Sequence, residues 1–244
     1  MAEWFKDWFD SSEYLEVYKH RNDEDARRLF KLILNNVSVS PGGSVLDIAC
    51  GAGRHSVLFS SAGYKVTAFD LSRNLLKTAL RKSREMELDI NYFNADLRRP
   101  ALKKQFDLVI NLFTSFGYFD SDSENFALFK DAFDLLCNKG FFVFDYFNID
   151  FLRNNLVPET TDSQNGRTVI QKRSIKDKRV IKEIRLISSS GEKSYIESVR
   201  LYEEGEITAA LGRAGLQVTR IFGDYAGGAF LKESSQRLII FARK

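Results

Sequence analysis

The stretch Val45-Leu46-Asp47-Ile48-Ala49-Cys50-Gly51-Ala52-Gly53-Arg54-His55-Ser56, followed by a second apolar run from Val66 to Asp70 that ends in an acid, limits what this chain can fold into more than any other feature. An apolar run that breaks into small residues and then resumes helical periodicity is a strand, a tight turn and a helix, the unit that lays a nucleotide-like ligand beside a helix N-terminus. Small residues at 49, 51 and 53 let backbone approach such a ligand without a large side chain in the way. Asp70 stands 19 residues beyond Gly51, close to the spacing of about 20 at which a strand-end carboxylate accepts hydrogen bonds from ribose hydroxyls. Together these features describe a site for an adenosine-containing molecule.

The details of the turn narrow the ligand. Read from Gly51, a G-x-G-x-x-G dinucleotide pattern requires Gly or Ala at position 56, where Ser56 stands, and an acid, Asp47, sits inside the strand itself. A pyrophosphate needs the helix N-terminus bare, with no carboxylate competing for it. A ligand carrying an ammonium and no phosphate suits this turn better. Here the sequence resembles the class I methyltransferases that use S-adenosylmethionine (SAM), whose D-x-(G/A)-x-G-x-G turn is matched by Asp47, Ala49, Gly51 and Gly53. The resemblance implies a Rossmann-like α/β fold, a doubly wound and mostly parallel seven-stranded sheet. It also implies that the turn, with Cys50 and Arg54, cradles the amino-acid end of SAM while Asp70 and its neighbour Leu71 take the ribose.

Two further segments fall where that family places them. Asn94-Ala95-Asp96-Leu97 follows the alternating run Ile90 to Phe93 and resembles the segment whose acid receives the adenine amino group, which assigns Asp96 and Leu97. Phe106 to Phe113 reads as a buried strand running out into Thr114 to Phe119; its family counterpart ends under the methionine moiety and the transferring methyl, which assigns Asn111, Leu112 and Phe113. Four ordered matches within about seventy residues are far more specific than the glycine turn alone. Singly, each acid has a simpler explanation: Asp47 satisfied by backbone N–H groups, Asp70 capping the next helix, Asp96 in an ordinary turn. Cys50 reads as a small buried filler and His55 as a cap or pocket wall.

A chain of 244 residues with 44% hydrophobic content is near the limit of what one core can serve. Two cysteines argue for a reducing compartment and against a disulfide framework. The sequence shows no apolar run of about 18 residues and no basic-then-apolar leader, so the expectation is a cytoplasmic protein without a membrane span. A net charge of +3 is too small to imply nucleic acid, and two histidines give no metal-ligand cluster.

Periodicity predicts an opening helix with Trp4, Phe5, Trp8 and Phe9, a second helix over 23–35, then strands at 44–49, 65–70, 90–94, 107–112 and 140–146 alternating with helices at 54–61, 72–87 and 122–137. From about Arg167 the period changes to two: Arg167 to Ser174, Arg179 to Ser188 and Ser194 to Tyr202 read as an antiparallel meander, followed by a helix over 205–214 and a hairpin-like pair at 216–222 and 237–243. The organisation expected is a helical cover over residues 1–40, a SAM-binding core over 41–150, an inserted antiparallel lid or oligomer surface over 151–203, and the end of the core sheet over 204–244.

The basic residues of the meander, including Lys172, Arg173, Lys176, Lys178, Arg179, Lys182 and Arg185, invite an RNA hypothesis, but interspersed acids dilute any phosphate-attracting field. The N-terminal segment resembles small-molecule methyltransferases in which an aromatic helix folds over the cofactor, which adds Tyr14 and Tyr18 to the cofactor set and makes Arg21 the partner of the SAM carboxylate. Polar groups expected to ring the methyl are Tyr118, Asp145, Tyr146, Asn148 and Tyr225, of which Tyr118, Asn148 and Tyr225 are assigned to the acceptor; no catalytic base is assigned. No N-P-P-Y-type loop is present. The expectation is therefore a SAM-dependent methyltransferase of a small organic acceptor, monomeric or homodimeric, with an RNA methyltransferase of the same fold and a nicotinamide-dependent oxidoreductase as alternatives.

Overall fold

A computed structural model describes residues 3–18, 23–98, 100, 102–164 and 166–244. Arg21, assigned above to the cofactor carboxylate, lies outside the described residues. The chain opens with three helices, α1 (Trp4–Phe9), α2 (Ser12–Val17) and α3 (Asp23–Asn36). The core then alternates β1 (Ser44–Ile48), α4 (Arg54–Ser61), β2 (Lys65–Asp70), α5 (Arg73–Glu85), β3 (Ile90–Asn94), β4 (Phe106–Asn111), α6 (Asp122–Leu135), β5 (Leu136–Phe147) and α7 (Ile149–Asn155). Strands β6 (Glu159–Gln164), β7 (Arg167–Lys176), β8 (Arg179–Ser188) and β9 (Gly191–Arg200) form a sheet of their own before α8 (Glu204–Arg213), β10 (Gln217–Phe222) and β11 (Arg237–Arg243) return to the core.

The main sheet has the order β10-β11-β5-β4-β1-β2-β3. Strands β1 to β5 pair in parallel, and β11 inserts antiparallel between β5 and β10. The chain steps outward from β1 to β3 and then crosses back to β4 on the other side of β1, so strand order reverses between β1 and β4. Ligands of open α/β sheets bind above such a reversal, outside the carboxyl ends of the strands. Val45, Leu46, Leu108, Val109 and Ile110 are fully buried because both faces of the sheet are covered.

Four elements depart from the sequence expectation. The meander has four strands, since polar Glu159–Gln164, which carries no apolar alternation, pairs with β7 as an edge strand. Helices α2 and α7, of six and seven residues, went unpredicted because so short a stretch gives a weak periodic signal; α2 is capped by Ser11 and α7 by Asn148. Strand β5 begins at Leu136, directly after α6, and not at Gly140: Lys139 adopts a positive φ of 66° and the pairing with β4 shifts register there, so residues 136–137, expected to close the helix, belong to an irregular strand start.

Candidate active site

Between β1 and α4 the backbone turns through three left-handed residues, Ala49 (φ 56°), Gly51 (57°) and Gly53 (73°). The Asp70 carboxylate braces this turn, accepting from Gly51 N at 2.8 Å on one oxygen and from Ser72 N at 2.8 Å on the other. Below it, Asp47 accepts from the Ser56 hydroxyl at 2.6 Å. A Cβ added at Gly51 would meet nothing within 4 Å, whereas at Gly53 it would stand 2.6 Å from the Tyr92 hydroxyl. Gly53 is thus required by the packing of α4 against Tyr92, and it does not line the cavity, contrary to its expected role beside the ligand.

Above the turn lies a cavity of about 660 Å3. Its floor includes Asp47, Ala49, Cys50, Gly51, Arg54, Asp70 and Leu71; Asp96 and Leu97 follow from β3, and Leu112 and Phe113 from β4. Tyr14 and Tyr18 descend from the N-terminal cover, and Tyr118 from the segment after β4. Two residues assigned to the acceptor are committed elsewhere and do not line the cavity. Asn148 caps α7 and donates to the carbonyls of Lys232 and Ser235 at 2.7 and 2.8 Å. The Tyr225 hydroxyl donates to Asp145 at 3.1 Å and its ring lies against Phe113. Asn111 is also fully buried beneath the cavity, donating to Ile48 O at 3.1 Å. Tyr146 is buried too, its hydroxyl donating to Arg200 O.

The electrostatics of the floor are unusual. Burial pushes the Asp47 carboxyl up to about 7, with the Asp70 charge adding to the rise against the Ser56 hydrogen bond. Burial also raises Asp70, against the N–H groups of Ser72 and Gly51, and raises the Cys50 thiol, which stays protonated. His55 is buried at the cavity wall and held down to about 3, so its ring is neutral. Asp96 moves the other way, held low by hydrogen bonds from the Arg98 side chain. Buried acids that resist ionisation are relieved by a cation in the cavity they line. Among the described residues no three His, Cys, Asp or Glu side chains are grouped to hold a metal ion.

The opposite wall comes from the second sheet. Arg173, Val180, Lys182, Glu197 and Val199 line it, all from β7, β8 and β9. Glu197 accepts from Trp8 Nε1 at 2.6 Å and from the Tyr18 hydroxyl at 2.5 Å, with Lys182 Nζ 3.7 Å away, so it ties the N-terminal cover to the sheet. Arg179, grouped above with a basic surface patch, is buried: its guanidinium donates to the carbonyls of Gly117, Tyr118 and Phe119, each at 3.2 Å, and to Ser198. Other cations of the patch are also paired, Arg185 with Glu192 and Lys172 with Glu159. Lys182, Glu197 and Arg179 went unassigned to the site because alternation shows that β8 and β9 have two unlike faces without showing which one turns inward.

Residues 45–140 match the family profile described as Methyltransferase domain. The chain is 31% identical over 111 residues to the glycine/sarcosine N-methyltransferase of Parasynechococcus marenigrum (strain WH8102), a match covering 45% of this chain and 39% of that protein. It is 25% identical over 208 residues to the cypemycin N-terminal methyltransferase of a Streptomyces species, covering 83% of this chain and 84% of that one. Among solved structures, an S-adenosylmethionine-dependent methyltransferase from Clostridium acetobutylicum ATCC 824 superposes with a TM-score of 0.80 at 20% identity, over 94% of this chain and 95% of that one. The chain spans less than half the length of several curated relatives it matches, 44%, 41% and 39%. Residues 45–140 are thus similar to a methyltransferase domain, and the chain shares its overall fold with that solved methyltransferase.

Proposed function

We propose that this chain is a SAM-dependent methyltransferase acting on a small organic acceptor. The observation that carries the proposal is the Asp70 carboxylate bridging Gly51 N and Ser72 N at the cavity floor. Each oxygen takes one backbone donor and keeps a lone pair for a ribose hydroxyl, while buried Asp47 and Asp70 favour a cationic ligand over a diphosphate. A nicotinamide dinucleotide fits these acids poorly, and the burial of Arg179 and the pairing of Lys172 and Arg185 weaken the case for RNA. In this reading Asp47, Ala49, Cys50, Gly51, Arg54, Leu112 and Phe113 face the amino-acid end, Asp70 and Leu71 the ribose, and Asp96 and Leu97 the adenine.

When bound, the cofactor supplies a methyl group on a cationic sulfur. This chain's residues contribute alignment and exclusion of water: Trp4 packs edge to face against Phe5, Phe9 and Tyr118, all of which line the cavity, and such alignment carries up to about 7 to 11 kcal/mol of a barrier. An amine is the favoured acceptor class, since the relatives named above are N-methyltransferases of glycine and sarcosine and of a peptide N-terminus by their names. We read residues 1–40 as cover, 41–150 as the cofactor core, 151–203 as the acceptor wall and 204–244 as the closing sheet, in a cytoplasmic monomer or homodimer. The test is a melting assay with saturating S-adenosylhomocysteine or NAD. At a concentration of about 100 times Kd a ligand specific to the folded state adds about 2.7 kcal/mol, so the first is expected to raise Tm by several degrees and the second to leave it unchanged; stabilisation by NAD alone overturns the proposal.

A further inference from the structure

Phe113 and Thr114, directly after β4, are consecutive non-glycine residues with positive φ, 58° and 63°. A left-handed non-glycine residue costs on the order of 1 kcal/mol or more and persists where its surroundings over-determine it. Here one residue does so, through its side chain and its backbone. Asp145, fully buried in β5, accepts from Phe113 N at 2.9 Å through its side chain, and its backbone carbonyl accepts from Thr114 N at 3.0 Å. Asp145 is itself fixed from β11 and the loop before it: Arg237 donates to it at 2.8 and 2.9 Å and reaches the Thr114 hydroxyl at 3.0 Å, and Tyr225 donates at 3.1 Å. Burial and the Asp145 charge both push the Tyr225 phenol up, which keeps it a donor. The Phe113 ring is in turn flanked by Arg54, His55 and Tyr225.

Sheet order says what this turn faces. The acids Asp70 and Asp96 lie at the ends of β2 and β3, on one side of β1, whereas Phe113 and Thr114 follow β4 on the other side and line the same cavity. A ligand that sets its nucleoside on the first side brings its far end to the second. Resting on the function proposed above, we infer that Asp145, locked by Arg237 and Tyr225, is a positioning residue that holds the Phe113–Thr114 turn against the amino-acid end of a bound sulfonium nucleoside. The closing strand β11 is then part of the cofactor site, although only Arg237 among its residues reaches the cavity.

Two probes separate this role from general stability: S-adenosylhomocysteine, which has the amino-acid end, and 5′-deoxy-5′-methylthioadenosine, which shares the nucleoside and lacks that end. In calorimetric titrations Asp145→Ala is expected to weaken S-adenosylhomocysteine about tenfold or more while the methylthioadenosine affinity stays within about twofold. Asp145→Asn, which keeps an oxygen for Phe113 N, is expected to recover most of the loss. Should Asp145→Ala show no melting transition, Arg237→Met carries the test, with an expected selective loss of about threefold or more. Equal weakening of both probes, or unchanged S-adenosylhomocysteine affinity in a folded variant, overturns the inference alone. Wild-type protein that binds neither probe overturns the proposed function and this inference with it.

Discussion

At the β1–β2 end of the cavity, Asp47, Gly51, Ser56, Asp70 and Ser72 come from one stretch, residues 47–72, and bond to one another. The opposite end draws Trp8, Tyr18, Lys182 and Glu197 from the N-terminal cover and the second sheet. The first end is preorganised by local turn chemistry, so its geometry holds whatever docks above it. The second exists only once separate surfaces have packed together, and its polar groups serve as ties between elements: Glu197 joins β9 to α1 and α2, and Arg179 joins β8 to the segment 117–119. One architecture can therefore keep a constant cofactor end while varying the wall that meets the acceptor. If the two ends are independent, substitutions at one should leave the measured property of the other unchanged.

The largest expected effect is at the local end. Gly53→Val combines a β-branched residue at φ 73° with a Cβ 2.6 Å from the Tyr92 hydroxyl and 2.9 Å from Ala79 Cβ; strain and overpacking together should cost about 3 to 5 kcal/mol, read as a shift in the urea midpoint. A loss below about 1 kcal/mol would show that the turn is softer than the comparison requires. At the assembled end, Arg179→Met leaves three carbonyls of the 117–119 segment without their buried donor and should cost about 3 kcal/mol. Its affinity for S-adenosylhomocysteine should stay within about twofold; a larger drop breaks the independence of the two ends.

Asp70→Ala reverses that pattern, with weakening of S-adenosylhomocysteine by about 1.5 to 3 kcal/mol from the loss of charge-assisted hydrogen bonds. Unchanged affinity in calorimetry removes Asp70 from the ribose. The smallest effect is a pH dependence confined to the same end. Burial pushes the Asp47 carboxyl up to about 7, and a cationic ligand favours its ionised form, so SAM affinity is lost as pH falls through that value. The drop should be about tenfold between about pH 8 and about pH 6. Asp47→Asn should flatten the profile; an equally steep profile in that variant assigns the dependence to another group.

Much of the cofactor end was legible because its parts are close in sequence and each residue type has a local reason. Alternating strands and helices followed from periodicity, and the acid after β2 from spacing. Gly53 shows the limit of such reasoning: its place in the motif was readable, but its purpose, clearance for Tyr92, depends on β3 and α5. Tyr225 and Asn148 sit in polar loops that looked like acceptor contacts, yet Tyr225 braces Asp145 and Asn148 caps a helix. A polar side chain near a site can serve the ligand or the scaffold, and only its partners distinguish the two. No helix among the described residues is long and apolar enough to cross a membrane.

What the amino-acid order determined by itself is the alternation of strands and helices in a mostly parallel sheet and the glycine turn after β1, because hydrophobic period and turn geometry act over a few residues. Tertiary structure alone decided which face of β8 and β9 closes the cavity, that Arg179 is buried, and that Asp145 and Arg237 grip the Phe113–Thr114 turn from the far edge of the sheet. Those outcomes depend on register and on the docking of surfaces far apart in the chain, where the preference of any one residue is overridden by what it packs against.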